Sequence, residues 1–92
     1  MTFALEKNLP NPFNAQTLIR YAIPKPSPVK LTVYSSAGML IRTLQAGVNK
    51  PGYYQAIWNG KDEQGKPVAK GVYFYRMKAD NFTTTKKMLK IE

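Results

Sequence analysis

The sequence contains no cysteine and no histidine. Without cysteine, the chain has no disulfide bonds, no thiolate nucleophile and none of the usual structural zinc sites. Without histidine, it lacks the commonest general base and metal ligand. No two acidic residues are spaced on a predicted strand as a paired-carboxylate site would require. The five acids are Glu6, Asp62, Glu63, Asp80 and Glu92. We therefore predict that the protein is not an enzyme and requires no cofactor or metal.

Long apolar runs are also missing. No stretch approaches the roughly 20 residues that a membrane-spanning helix needs, so we expect no membrane span. The first five residues are too short and lack the basic start of a signal peptide. Because a strand-like pattern begins almost at once, we expect Met1 to be an expression start on a domain excised from a larger protein.

Positive charge is in excess, with 14 Lys and Arg residues and a formal net charge of +9. Such an excess fits a solubilising surface, an anionic cell-surface partner such as a polysaccharide, or a nucleic acid. The positive residues are spread along the chain, and their one local cluster is Lys86, Lys87 and Lys90. This dispersal favours the solubilising surface, with the anionic surface partner second, and we expect no nucleic-acid partner.

Short runs rich in Val, Ile, Thr, Tyr and Phe are separated by seven prolines and six glycines. This spacing predicts an all-β protein. The predicted strands are 3–5, 17–23, 29–34, 39–44, 53–58, 71–77 and 82–91. Seven strands in 92 residues indicate a single domain, 1–92, with the fold of a seven-stranded antiparallel immunoglobulin-like β-sandwich.

The alternation within these runs predicts which side chains form the core. In 17–23 the second face carries Arg20, so the first face should point inward. In 29–34 we expect Lys30 and Thr32 to face water. The predicted core residues are Tyr21, Leu31, Val33, Trp58, Tyr73 and Tyr75. In 39–44 the apolar positions depart from alternation, which predicts a β-bulge or an early end of the strand.

The connections carry clear turn signals. Gly38 suits the positive φ of a hairpin turn, and Asp80-Asn81 suits a two-residue hairpin. Pro51-Gly52 stands where a type II turn would place these residues. In the polar segment 59–70, side chains with oxygen atoms stand at alternate positions, as the ligands of calcium-binding loops do. The middle position, however, is the cation Lys61. We therefore expect Asp62 to close the turn toward Gly65 rather than to bind a metal.

The tyrosines of 71–77 permit two interpretations. They could form a sugar-stacking platform, but Tyr73 and Tyr75 share a face with Met77, which favours core packing. A tyrosine here can also donate a hydrogen bond to a nearby loop, as in a tyrosine corner.

Several blocks of the sequence together resemble a known family. One block is Pro10, Asn11, Pro12, Phe13 and Asn14. A second block is the segment 31–38, which ends at Gly38. The others are the loop that contains Trp58, Gly60, Asp62 and Gly65, and the strand that contains Gly71, Tyr73 and Tyr75. In this order, and with the basic end 86–92, the chain resembles the type A C-terminal sorting domain of the type IX secretion system. That domain is in turn similar to the immunoglobulin-like domain of the flagellar hook-capping protein.

The resemblance implies a carrier role without catalysis. Such a domain ends a larger exported protein and directs it from the periplasm to the cell surface or the medium. Its implied partners are the secretion machinery, a sortase-like protease and anionic surface polysaccharide, and we expect a monomer. Two alternatives stay open, namely a structural domain of an extracellular assembly such as the hook cap, and a carbohydrate-binding or adhesion module.

The final strand is the predicted recognition element. The resemblance places the recognised part at the C-terminal end, where the predicted residues are Lys86, Lys87, Met88, Leu89, Lys90 and Ile91. We expect the lysines to be exposed and at least one apolar side chain to remain available for a partner. A receptor could then pair with the strand edge. The alternative is that the lysines only protect that edge from aggregation.

Overall fold

The computed structural model describes residues 1–92, and it contains seven β-strands and no helix. The strands are β1 (Ala4–Leu5), β2 (Thr17–Ile23), β3 (Ser27–Ser35), β4 (Leu40–Asn49), β5 (Gly52–Trp58), β6 (Gly71–Ala79) and β7 (Phe82–Lys90). All neighbouring strands pair antiparallel. The predicted fold class is therefore confirmed, and the chain has no helix that could cross a membrane.

The strands form a three-stranded sheet of order β1-β2-β5 and a four-stranded sheet of order β4-β3-β6-β7. In the constant-type immunoglobulin arrangement, the fourth strand joins the sheet that holds the first, second and fifth strands. Here β4 pairs with β3 instead. This pairing makes β4 and β7 the two edges of the larger sheet.

The core lies between the two sheets and follows the predicted alternation. All six predicted core residues are at least 93% buried, and Trp58, Tyr75, Leu31 and Val33 have no exposed surface. Arg20 and Lys30 face water, as predicted. Thr32 was expected to face water but is only 2% exposed. It lies on the outer face of a central strand, where Thr43 and Arg76 flank it in the neighbouring strands.

The prediction for the fourth strand was partly wrong. Met39 is 68% exposed, and β4 begins at Leu40 and continues to Asn49 rather than ending at Leu44. The predicted irregularity is present, because the β3–β4 register shifts twice, between Leu31 and Thr32 and between Val33 and Tyr34 of β3. These bulges let a strand without strict alternation remain paired over its length.

Two of the three predicted turns are confirmed. Gly38 has a φ of 85° and donates its N–H to the Ser35 carbonyl. Ala79 pairs with Phe82, so a two-residue turn joins β6 to β7. Gly52 does not form a type II turn, because its φ is 157° and it already pairs with Ile23 inside β5. The chain uses Lys50-Pro51 to pass from one sheet to the other.

Candidate functional site

The segment 11–13 lies against the outer edge of β7, near the end of the chain. The Phe13 N–H donates to the Leu89 carbonyl at 3.0 Å, and the Ile91 N–H donates to the Phe13 carbonyl at 3.0 Å. The Leu89 N–H donates to the Asn11 side-chain oxygen at 2.9 Å. The Pro10–Asn14 motif and the C-terminal strand, which are far apart in the sequence, are therefore in contact in the structure.

A buried polar network holds this motif in place on its other side. The Asn8 side-chain amide donates to the Thr17 hydroxyl at 3.0 Å, and that hydroxyl donates to the Pro10 carbonyl at 2.8 Å. Both side chains are 1% exposed. The Leu18 and Leu9 backbones also exchange hydrogen bonds. The role of Asn8 was missed in the sequence, because an isolated polar residue before a proline-rich segment looks like an ordinary loop residue.

Phe13 seals the core at this end of the sandwich. Its ring is 1% exposed and meets the Trp58 indole edge-on, with ring centroids 5.5 Å apart. The indole in turn meets the Tyr73 ring at 5.2 Å. Edge-to-face pairs of this kind add to the stabilisation that burial provides. Three residues of the recognised motifs therefore form one aromatic cluster, and their role in the fold is structural.

The predicted recognition residues alternate between exposure and burial along the last strand. Lys87 is exposed, Leu89 and Ile91 are 38% and 46% exposed, and Met88 is 1% exposed. Lys86 is half-buried. The apolar side chains expected to remain available are thus Leu89 and Ile91.

Lys90 contradicts the expectation that all three clustered lysines are exposed. It is only 7% exposed, and its aliphatic stem lies across Gly60. A Cβ on Gly60 would come within 2.8 Å of the Lys90 Cε. Gly60 also has a φ of 73°, a conformation that glycine adopts more readily than other residues. The stem can be buried in this way while the ammonium group reaches water. Lys90 therefore belongs to the packing of the domain, and only Lys86 and Lys87 of the cluster offer accessible charge.

The loop around Asp62 is closed by its own hydrogen bonds. One Asp62 carboxylate oxygen accepts the N–H groups of Gln64 and Lys66 at 2.9 and 3.0 Å, which confirms the turn-closing role. The Gly65 N–H donates to the Asp62 carbonyl at 3.0 Å. The Trp58 indole N–H donates to the Lys61 carbonyl at 3.0 Å, so the loop also provides the hydrogen-bond acceptor for the buried indole. No three His, Cys, Asp or Glu side chains cluster as a metal site would need.

The two tyrosines of β6 are buried, so they do not form a sugar-stacking platform. The Tyr73 hydroxyl donates to the Ala69 carbonyl at 2.5 Å, a local bond of the predicted tyrosine-corner kind. The Tyr75 hydroxyl donates to the Glu6 carbonyl at 2.7 Å and links β6 to the N-terminal segment. Burial raises the pKa of Tyr75 to about 12, because the charged phenolate would lose its hydration.

The outer face of the four-stranded sheet carries a group of cations that the sequence pattern did not reveal. Lys30 of β3 lies directly opposite Lys78 of β6, and Arg76 lies opposite Thr32. The Arg76 guanidinium donates to the Tyr34 hydroxyl at 2.8 Å and lies over the same ring, 5.0 Å from its centre. The four strands contain no Asp or Glu, so the charged strand residues on this face are all cations.

Comparison with known proteins relates this chain to one family and to several solved structures, among them PorU and PorZ. A family model described as FlgD Ig-like domain matches residues 11–82. PorU from Porphyromonas gingivalis, solved as a latent dimer, has a part similar to this chain with a TM-score of 0.76 and 18% identity; the match covers 99% of this chain and 10% of PorU. PorZ, described as an essential surface component of the type-IX secretion system of the same bacterium, matches with a TM-score of 0.62 and 17% identity, over 98% of this chain and 11% of PorZ.

The chain therefore spans about a tenth of the length of either protein. At these identities the likeness shows a shared fold. No curated protein matches the chain.

Proposed function

This chain belongs to the FlgD Ig-like domain family, and we propose that it is a non-catalytic C-terminal sorting module of the type IX secretion system. In this role it directs an upstream cargo to the cell surface or the medium. The observation that carries the proposal is that nearly the whole chain matches one domain-sized part of PorZ, a surface component of that system. The sequence blocks that resemble type A sorting domains support it independently.

The C-terminal edge offers a surface that a receptor of the secretion machinery could bind. Leu89 and Ile91 leave apolar surface exposed, and Lys87 adds accessible charge beside them. The hydrogen bonds that Leu89 and Ile91 form with Asn11 and Phe13 hold this end in a fixed conformation. A receptor would therefore meet an ordered strand and would not have to order a flexible tail, which lowers the entropic cost of binding.

The remaining partners follow from the same role. We propose that a sortase-like protease removes the domain after export and that anionic surface polysaccharide is a further partner. The domain itself is proposed to act as a monomer. These steps concern the surface of the bacterium, so the proposed location is the cell surface or the medium, reached through the periplasm.

The direct test is a reporter enzyme fused ahead of residues 1–92 and expressed in a bacterium that has the type IX machinery. The reporter should reach the surface or the medium only when the domain is attached and the machinery is intact. A reporter retained in the periplasm of that strain, with the domain shown to be folded, would contradict the proposal.

A structural role in an extracellular assembly such as the flagellar hook cap is the second candidate. The family match over residues 11–82 favours it, because that family is described by its relation to FlgD. The full-length gene separates the two candidates. A large cargo ahead of the domain and a stop codon after Glu92 favour sorting, whereas a position among flagellar genes favours the cap. A carbohydrate-binding role has less support, because Tyr73 and Tyr75 are buried.

A further inference from the structure

The last strand has one open edge, and its orientation can be assigned residue by residue. Leu89 directs its N–H and C=O away from β6, toward Asn11 and Phe13. The β6–β7 register continues without a shift from Lys90 to Phe82. Because orientation alternates along a strand, Thr83, Thr85 and Lys87 also direct their backbone groups away from β6. Their side chains are exposed on the outer face.

The two halves of this edge differ. The end at Leu89 and Ile91 is already paired with the segment 11–13, through a single parallel β-bridge between Phe13 and Lys90. The half from Thr83 to Lys87 has no such partner, since β7 is the outermost strand of its sheet. An edge of this kind can template a strand from another chain. A backbone segment of the same chain thus already pairs with one half of the outer edge of β7, and the other half is open.

The opposite edge of the same sheet is also partly covered. The Thr43 N–H of β4 donates to the Glu63 carboxylate, and the Ile41 carbonyl accepts the Glu63 N–H. The loop around Asp62 therefore covers the N-terminal half of the β4 edge, at Ile41 and Thr43. Each edge of the sheet is therefore covered over about half of its length. We favour β7 because the segment that covers it already pairs with it in a β-bridge, whereas β4 is covered by a loop.

The charges beside the open edge indicate the chemistry of the partner. Across β7 and β6, Thr83 pairs with Lys78, Thr85 with Arg76, and Lys87 with Phe74. One strand further, Lys30 lies directly opposite Lys78. An added strand would lie directly beside Lys87 of β7, with Arg76 and Lys78 of β6 one strand further away. Acidic side chains on this face of the added strand would be attracted to these cations.

We propose, resting on the proposed function, that residues 83–87 pair with an extended strand of the secretion apparatus through main-chain hydrogen bonds. Alternate side chains of that strand are acidic and lie on the positive outer face. Main-chain bonds provide the affinity in this mode of recognition, and the alternate side chains provide the specificity.

The test uses the reporter fusion and two substitutions at one position. Thr85→Pro removes an N–H that points away from β6, so the β6–β7 pairing stays intact, as proline is tolerated on such edges. Thr85→Ala removes the side chain but keeps the N–H. We expect both domains to fold. Export should fall about tenfold with Thr85→Pro, because one main-chain hydrogen bond to the partner is lost. Thr85→Ala should be exported like the unmodified domain, and Thr83→Pro should repeat the effect of Thr85→Pro.

The outcomes separate this inference from the proposed function. Failure of the unmodified fusion to be exported would contradict the proposed function. Normal export of both proline variants, with the unmodified fusion also exported, would overturn the inference and leave the proposed function intact. Equal loss with Thr85→Ala would show side-chain recognition and would also overturn it. A Thr85→Pro domain that fails to fold would contradict the outward orientation on which the inference depends.

Discussion

Phe13 forms a parallel β-bridge with Lys90, so a segment near the start of the chain extends the sheet beside the last strand. The same two residues pack inward, with Phe13 1% and Lys90 7% exposed. The end proposed for recognition is therefore built from both termini. Substitutions in the Pro10–Asn14 motif should therefore affect the C-terminal strand, although the two segments are far apart in the sequence.

Asn11→Ala tests this dependence. The substitution removes the oxygen that accepts the Leu89 N–H, which should lower the free energy of unfolding by about 1 kcal/mol. Amide exchange at Leu89 should become faster. Asn14→Ala is the matched control, because Asn14 is exposed and its side chain makes no such bond. Unchanged exchange at Leu89 in the Asn11→Ala domain would refute the assigned contact.

Trp58 should be the most costly single truncation in the core. It is fully buried, contacts two aromatic rings and donates its indole N–H to Lys61. Trp58→Ala should therefore reduce the free energy of unfolding by about 3–5 kcal/mol, measured by chemical denaturation. In the unmodified domain the indole should fluoresce as a buried group. Emission typical of a hydrated indole would show that the core is assigned incorrectly.

Gly60 and Gly65 allow the contact with Lys90 to be isolated. Their φ angles are similar, 73° and 79°, but only at Gly60 would a Cβ meet the Lys90 side chain. Gly65→Ala should cost about 1–2 kcal/mol from backbone strain alone. Gly60→Ala should cost more, and the difference should disappear when Lys90 is also changed to Ala. Equal costs for both glycines would mean that Lys90 does not lie over Gly60.

Alkaline pH should destabilise the domain through Tyr75. Its pKa rises from about 10 in the unfolded chain to about 12 on folding, because burial disfavours the phenolate. The folded state therefore holds this proton more tightly. The resulting stabilisation is fully present below about pH 10 and is lost as the pH rises toward about 12. Burial raises the pKa of Tyr73 as well, which acts in the same direction.

Tyr75→Phe should weaken this pH dependence, measured as unfolding free energy across that range. It should also cost about 1 kcal/mol near neutral pH, because the hydrogen bond to Glu6 is lost. Tyr53→Phe, at a ring that is 80% exposed, is the control and should behave like the unmodified domain. The same alkaline loss of stability in all three domains would contradict the role given to Tyr75.

Alternation in the sequence was sufficient to predict the core, because β2 and β3 each place one apolar face between the sheets. It failed for β4, where two register shifts interrupt the period and the strand extends to Asn49. The pairing of β4 with β3 rather than with β5 depends on tertiary packing, and no local sequence pattern specifies it. Pro28 also lies inside β3, whereas the sequence pattern predicted that this strand begins at residue 29.

The candidate site was less accessible to prediction. Lys90 looks like a solvated charge in a lysine-rich segment, and its burial depends on Gly60 lying beside it in space. The bond between Asn11 and Leu89 joins residues distant in sequence, so no spacing rule reveals it. The positive face of the larger sheet arises from the β3–β6 register, which places Lys30 opposite Lys78.

Export of the reporter fusion with Lys86→Gln and Lys87→Gln is the most direct measurement of whether the C-terminal strand carries the sorting signal. These are the accessible lysines of the cluster, and their loss should change stability by no more than about 0.5 kcal/mol each. Lys50→Gln with Lys66→Gln removes the same charge from exposed positions outside β7 and serves as the control. We predict that the β7 variant folds normally yet reaches the cell surface less efficiently than the control. Equal surface levels of the two variants would contradict recognition through this strand's charge.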